Sequence, residues 1–229
     1  MHMSRFMSNV ALATALVAGA AVPLGGARAV TVINGSFEVT THFVPNVDDT
    51  MRLSVGSLAM TGWTVVNSGL AWIGPTNTFG LTASNGSYFL DLTDYTDVSP
   101  YGGVSQIITT VAGQHYLLSF DLGSSTPYGT PDAITATASA GPTSGTFTST
   151  LSGTNNWQLE TLAFIAASTS TTITLIGYSA NRSYIGLDNV SVTATPLPAA
   201  LPLFATGLGA LGLLGWRRKR KNSAALAAA

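Results

Sequence analysis

Apolar residues recur at every second position along much of residues 30–195, and no part of that region shows the period of an amphipathic helix. Residues 114–122 show the pattern clearly, because Tyr116, Leu118 and Phe120 fall on one face and more polar positions lie between them. An alternation of period two places one set of side chains in a core and the other set at the surface of a β-strand. The region is therefore predicted to be all-β.

Further strand-like segments are separated by turn signals such as Asn85-Gly86. Residues 143–152 are rich in Ser and Thr, but the alternation around Phe147 predicts an exposed strand rather than a linker. Many short strands without an internal repeat favour a single antiparallel β-sandwich or jelly roll. The other predicted strands are residues 87–92, 104–109, 134–138, 159–166, 171–178 and 185–193.

The last of these strands changes phase. Ile185 and Leu187 occupy odd positions, whereas Val190 and Val192 occupy even ones. Both pairs can face the core only if the chain slips by one residue, as it does at a β-bulge. We therefore predict a bulge at Asp188, next to Asn189.

The N-terminal residues 1–29 have the features of a secretory signal peptide. Arg5 is followed by an apolar stretch that is short for a membrane span, and Ala27 and Ala29 provide the small-x-small cleavage pattern. The mature protein would begin near Val30. The alternative is an uncleaved N-terminal anchor.

Near the other end, residues 199–216 form an uncharged apolar run, long enough for a transmembrane helix. The positive-inside rule would keep the basic cluster that follows in the cytosol and place residues 30–195 outside. A plain single-span anchor satisfies the same pattern, and residues 222–229 are expected to be a disordered extension. The basic cluster consists of Arg217, Arg218, Lys219, Arg220 and Lys221.

Charge and cysteine content exclude several classes of function. All ten acidic residues lie in residues 38–188, together with two of the nine basic residues, and a body with this balance is a poor ligand for nucleic acid. The chain has no cysteine, which rules out disulfides, thiolate zinc sites and a cysteine nucleophile. No catalytic motif is present, so we expect a protein that is not an enzyme.

The C-terminal segment resembles the PEP-CTERM sorting signals, in their VPLPA variant. Such tails combine a short proline motif, an apolar helix and a basic cluster, and an exosortase-type protease processes them. The resemblance spans residues 196–221 and implies an inner-membrane precursor that reaches the cell surface or extracellular matrix of a Gram-negative-type bacterium making exopolysaccharide. The motif residues are Pro196, Leu197, Pro198, Ala199 and Ala200, preceded by Thr195 where Val is usual.

The ectodomain is similar to the galactose-binding-like jelly rolls, which include carbohydrate-binding modules of the family 4/9/22 type and DUF642 domains. The resemblance is carried by Asn34-Gly35-Ser36-Phe37-Glu38, Gly62-Trp63, Gly103-Val104-Ser105-Gln106, Trp157 and Gly186-Leu187-Asp188-Asn189-Val190. It implies polysaccharide binding as the leading function. The alternative is a structural or adhesive matrix protein without a defined sugar site.

The same resemblance implies a structural Ca²⁺ that links the opening segment to the late aspartate. Carried over, Glu38 and Asp188 are oxygen ligands, and backbone carbonyls near Asn34 and Ser36 complete the shell. The alternative is that both acids are solvated or bond the amides of local turns.

Sugar rings bind to aromatic faces, so exposed aromatic residues are the candidates for a glycan site. Tyr101 and Tyr128 lie in Gly/Pro-rich segments and are expected to be exposed, whereas Trp63 and Trp157 are expected in the core. The full candidate set is Tyr101, Tyr128, Trp72, Tyr88 and Tyr184.

Overall fold

A computed structural model describes residues 29–79, 82–96, 98–124, 133–150, 156–179 and 184–195, together with 207–209, 211–213 and 216. Twelve strands lie within these residues. They are β1 (Ala29–Val30), β2 (Thr50–Leu53), β3 (Thr64–Val66), β4 (Leu70–Ile73), β5 (Phe89–Asp91), β6 (Gly103–Thr109), β7 (His115–Ser124), β8 (Ile134–Ala140), β9 (Thr143–Ser149), β10 (Asn156–Ile165), β11 (Ser170–Ser179) and β12 (Gly186–Ala194).

The strands form two antiparallel sheets that pack face to face. The larger sheet has the order β10-β7-β12-β5-β4-β2, with β1 paired to β12, and the smaller has the order β3-β6-β11-β8-β9. The non-consecutive neighbours are those of a jelly-roll sandwich, which confirms the predicted fold class.

The core between the sheets is filled by the alternating residues that the sequence indicated. Leu118 and Phe120 of β7 are fully buried, and so is Phe37, whose ring lies 5.6 Å from that of Trp63. Trp63 is 1% exposed, as predicted, and its indole Nε1 donates a hydrogen bond to the Asn34 carbonyl at 2.9 Å. The opening segment is therefore held against the core by an aromatic pair and a buried polar contact.

Eight predicted strands, β5 to β12, are confirmed within a few residues, including β9, which alternates between exposed and half-buried positions along most of its length. Strands β2 and β3, with four and three residues, were not predicted. A segment that short carries too little alternation to be recognised.

The predicted tail lies mainly outside the described residues. Residues 207–209, 211–213 and 216 are helical, with Leu208, Leu211 and Trp216 exposed. Among the residues that the structure describes, no helix is both long and apolar enough to span a bilayer. The signal peptide, the proline motif and the basic cluster lie outside the described part of the chain and stay predictions.

Candidate functional site

The two ends of the ectodomain meet at the Asn-Gly turn, which we define as residues 84–88. Glu38 Oε1 accepts hydrogen bonds from the backbone amides of Ser87 and Tyr88, both at 2.7 Å. Asp188 Oδ2 accepts one from the amide of Asn85 at 2.8 Å. The opening segment and the last strand therefore hold the same turn through their carboxylates.

The predicted bulge is present in β12. Asp188 pairs with Asp121 of β7, but the next pair is Ser191 with Ser119, so one extra residue lies on β12. Asn189 adopts a left-handed φ of 52°, and the amide of Val190 donates to the Gly35 carbonyl at 2.8 Å. The bulge thus turns one backbone donor of the last strand towards the opening segment.

Two buried carboxyl groups, those of Asp188 on β12 and Asp121 on β7, are cross-strand neighbours at this bulge. Asp188 is fully buried and Asp121 is 7% exposed. Asp121 Oδ2 accepts hydrogen bonds from Ser84 Oγ and from Asn189 Nδ2, the latter at 3.1 Å. Burial raises the pKa of Asp188 to about 7, against the opposing effect of its amide hydrogen bonds, and the charge of Asp121 adds to the rise.

The four predicted calcium ligands lie near the junction between the opening segment and the last strand. The two carboxylates accept hydrogen bonds from backbone amides there. Asp188 Oδ1 accepts from the Asn189 amide at 2.6 Å, and the Asn34 carbonyl already accepts from the Phe37 amide and the Trp63 indole. Ser36 is half-buried.

The side-chain donor Asn34 Nδ2 is buried without a partner among the described residues, and a donor cannot ligate a cation. Within that same part of the chain, no group of three or more His, Cys, Asp or Glu side chains could hold a metal. The contacts at the junction therefore agree with the alternative given above, in which Glu38 and Asp188 accept hydrogen bonds from the backbone amides of local turns. Ca²⁺ binding at the junction stays a prediction.

The predicted sugar-binding aromatics do not form one surface. Trp72, Tyr101 and Tyr184 are 0%, 7% and 8% exposed, so their rings are not available as platforms. Tyr88 is half-buried and packs edge-on against Phe43, 5.1 Å between ring centroids. Tyr128 lies outside the described residues.

The expectation that Tyr101 is exposed is wrong, and its glycine-rich surroundings explain why. A Cβ on Gly102 would lie 2.2 Å from the Gly69 carbonyl oxygen, and one on Gly177 would lie 2.8 Å from the Tyr101 Cβ. The glycines therefore allow neighbouring backbones to close around Tyr101. In sequence, Gly102 and Gly103 next to Tyr101 had indicated an open loop.

Trp157 was expected in the core, but it lies half-buried on the outer face of the seven-stranded sheet. Trp157 pairs with Gly123, which in turn pairs with Gly186. A Cβ on Gly123 would lie 2.5–2.7 Å from three atoms of the indole, and one on Gly186 would lie 2.9 Å from it. The ring therefore rests with one face on two glycines, and we call these three residues the Trp157 platform.

Two further contacts fix the orientation of the indole. Trp157 Nε1 donates a hydrogen bond to the Thr82 carbonyl at 3.0 Å, and Phe89 packs against the ring edge-on at 5.5 Å and 84°. The sequence carries only part of the signal for the platform, because a strand tryptophan needs small residues on its neighbouring strands in order to lie flat. Gly123 and Gly186 are such residues, but their register with Trp157 becomes known only from the fold.

The surface beside the platform carries an apolar side chain and several side chains with hydroxyl groups. Leu159, two residues after Trp157 on the same face, is 63% exposed. The next cross-strand row consists of Thr161, Ser119 and Ser191, of which Thr161 and Ser191 are exposed. The arrangement offers one flat ring and several neutral hydrogen-bonding groups.

The class of this protein is defined by a two-sheet jelly roll in which the opening segment, with Asn34-Gly35, is hydrogen-bonded to the bulge at Asp188-Asn189 in the last strand. Residues 30–192 match the model of the family described as "Protein of unknown function (DUF642)". The chain belongs to the DUF642 family, as its motifs had suggested. No curated protein matches its sequence.

The chain is similar to solved structures at low sequence identity. A cyclase from Fischerella sp. TAU has 16% identity and a TM-score of 0.53, covering 76% of this chain and 100% of its own. A structure of TmCBM61 in complex with β-1,4-galactotriose has 14% identity and a TM-score of 0.45, covering 72% of this chain and 97% of its own. At such identities the cyclase shares the fold alone.

Proposed function

We propose that this chain is an exported, non-catalytic cell-surface or extracellular-matrix protein that binds polysaccharide at the Trp157 platform. The observation that carries the proposal is the indole held flat on Gly123 and Gly186 while the side chain is only half-buried. Pyranose rings stack their apolar faces on such aromatic surfaces, and a fixed ring loses little conformational entropy when it binds.

The neighbouring groups favour a neutral glycan. Thr161 and Ser191 offer hydroxyl groups that can both donate and accept hydrogen bonds, as sugar hydroxyls do. Asp121 and Asp188 lie on the same face, but both are buried and engaged by the Asn-Gly turn. These two carboxyl groups are therefore not presented to a ligand at the platform.

The proposal of a non-catalytic role is supported by the positions of the two glutamates. Hydrolysis of a glycosidic bond requires two carboxyl groups facing it from opposite sides. Glu38 accepts hydrogen bonds from the Asn-Gly turn. Glu160 lies on β10, on the same face of the strand as the core residues Leu162 and Phe164. Each of these two carboxyl groups has its own hydrogen-bond partners, which for Glu160 is the Gln158 side-chain amide at 2.6 Å.

The platform is tested by affinity measurements on a glycan array, followed by titration with the glycans that bind. We expect Trp157→Ala to lower the affinity at least about tenfold, or about 1.4 kcal/mol. Tyr178→Ala is the matched control, because Tyr178 is 64% exposed on the other sheet and the affinity of this variant should not change. Circular dichroism checks that each variant is folded.

Unchanged affinity in folded Trp157→Ala would refute the platform. If the wild-type chain bound no glycan, the alternative of a purely structural or adhesive matrix protein would be preferred.

We further propose that the chain is made as an inner-membrane precursor and is cut by an exosortase-type protease at residues 196–200. The proposal is supported by the order of proline motif, apolar run and basic cluster. Mass spectrometry of the surface form should find the new C-terminus within that motif, and a surface form that still ends at Ala229 would contradict it.

Structural Ca²⁺ remains a separate proposal. A chelator should lower the melting temperature of the wild type but not that of Asp188→Ala. The absence of any chelator effect on the wild type would reject it.

A further inference from the structure

The chain contains two Asn-Gly dipeptides, Asn34-Gly35 in the opening segment and Asn85-Gly86 in the Asn-Gly turn. Asparagine is a chemically labile residue, and a following glycine makes it more so, because no side chain hinders the attack of the glycine nitrogen on the asparagine amide. In an unfolded chain the two dipeptides have similar reactivity. In the folded protein their surroundings decide which of them reacts.

Asn85 and Gly86 are exposed, and Gly86 has a left-handed φ of 75°. The backbone amide of Asn85 donates to Asp188. Within the part of the chain that the structure describes, no hydrogen bond involves the side chain of Asn85 or the backbone amide of Gly86. The atoms that must move for a reaction are therefore unrestrained and in contact with water.

Asn34 has the opposite environment. Its Oδ1 accepts a hydrogen bond from the Val39 amide at 2.9 Å, and its carbonyl accepts one from the Trp63 indole at 2.9 Å. The Gly35 carbonyl accepts a third from the Val190 amide at 2.8 Å. Asn34 Nδ2 is buried as well. This dipeptide cannot rearrange without breaking several of these contacts.

The turn also requires glycine at position 86. A Cβ on Gly86 would lie 2.5 Å from Glu38 Cδ, so only glycine lets this carboxylate come so close. From there Glu38 Oε1 reaches the amides of Ser87 and Tyr88. The contact that holds the opening segment to the turn therefore needs the residue that makes Asn85 labile.

We propose that Asn85 deamidates spontaneously in the folded protein, whereas Asn34 is protected. The Gly86 nitrogen loses its proton and bonds to Asn85 Cγ, the Cγ–Nδ2 bond breaks, and ammonia leaves with that proton, which gives a cyclic succinimide. Water then opens the ring at one of its two carbonyl carbons and yields aspartate or isoaspartate. Nothing is oxidised or reduced, and water is the only co-reactant.

Both products weaken the hold on the turn. Each adds a negative charge to a turn that already contacts the carboxyl groups of Glu38 and Asp188. Isoaspartate also lengthens the backbone between the amides of residues 85 and 87, which bond to these two different carboxyl groups. Deamidation should therefore loosen the junction between the opening segment and the last strand.

The first test compares the two dipeptides within the wild-type full chain. Folded and urea-unfolded samples are incubated at mildly alkaline pH, and peptide mapping by mass spectrometry follows the conversion of each amide to an acid. In the folded sample, we expect Asn85 to react at least about tenfold faster than Asn34, because several hydrogen bonds restrain Asn34. In urea the two rates should become similar. Equal rates in the folded protein, or an Asn85 that stays intact, would overturn the proposal.

The second test concerns the consequence of the reaction. Asn85→Gln is the matched control, because glutamine does not readily form the five-membered ring and the exposed side chain makes no hydrogen bond that it would remove. Fresh wild type and fresh Asn85→Gln should have the same melting temperature, with circular dichroism checking the fold. After incubation the melting temperature of the wild type alone should fall, in proportion to the fraction modified at Asn85. An unchanged melting temperature in modified wild type would show that the junction does not depend on Asn85.

Discussion

The free energy of unfolding should decrease as the pH rises from about 4 to about 7, because of Asp188. Its pKa is raised from the ordinary 3.8 to about 7 in the folded protein. In this interval the folded state retains a proton that the unfolded chain has lost. The stabilising effect is complete below about pH 4 and is lost as the pH approaches 7.

The size of the effect follows from the shift. About three pH units at about 1.4 kcal/mol per unit give a loss on the order of 4 kcal/mol. This is a large part of the stability of an ordinary domain, which is about 5–15 kcal/mol. The cause is the burial of a carboxyl group that has the Asp121 carboxyl as its cross-strand neighbour.

Urea unfolding followed by tryptophan fluorescence, with a chelator present, measures this dependence between pH 4 and pH 8. Asp188→Asn cannot titrate, so the difference between wild type and variant isolates the effect of this one group. A difference that is constant with pH, or one in which the wild type gains stability as the pH rises, would refute the reasoning.

Three substitutions test the local backbone and the hold on the opening segment. Gly35→Ala would place a Cβ 2.0 Å from the Val190 carbonyl oxygen, so we expect a loss of about 2–4 kcal/mol in urea unfolding, and a loss below about 1 kcal/mol would contradict the contact. Gly56→Ala, at φ 82° but in open space, should cost only about 1–2 kcal/mol, and an equal or larger loss than Gly35→Ala would contradict the steric argument. Trp63→Phe removes the bond to the Asn34 carbonyl and should cost about 1–3 kcal/mol in the same assay, and no loss would show that this bond is not needed.

The fold could be predicted because its longest strands alternate regularly. The core face of β7 follows directly from Tyr116, Leu118 and Phe120. The bulge in β12 could be predicted for the same reason, since two apolar pairs of opposite phase can share one face only if the strand gains a residue between them. Leu70–Ile73 was missed because all four residues are buried, so that β4 has no polar face to reveal its period.

The candidate site was harder to predict, because it depends on neighbours in space. Whether a tryptophan is a platform or a core residue is decided by what lies under its ring, here Gly123 and Gly186, which are distant from Trp157 in sequence. The hydrogen bonds that Glu38 and Asp188 accept from backbone amides likewise depend on where the Asn-Gly turn lies in the folded chain. A sequence pattern identifies such residue types but not their partners.

The last strand is hydrogen-bonded along both of its edges, to β7 on one side and to β5 and β1 on the other. The amide of Thr195, the residue after it, donates to the His115 carbonyl at 2.9 Å. A pull directed along β12 would load these hydrogen bonds in shear, so that they would break together rather than one by one. The domain is therefore attached to its C-terminal segment through an element suited to resist mechanical tension.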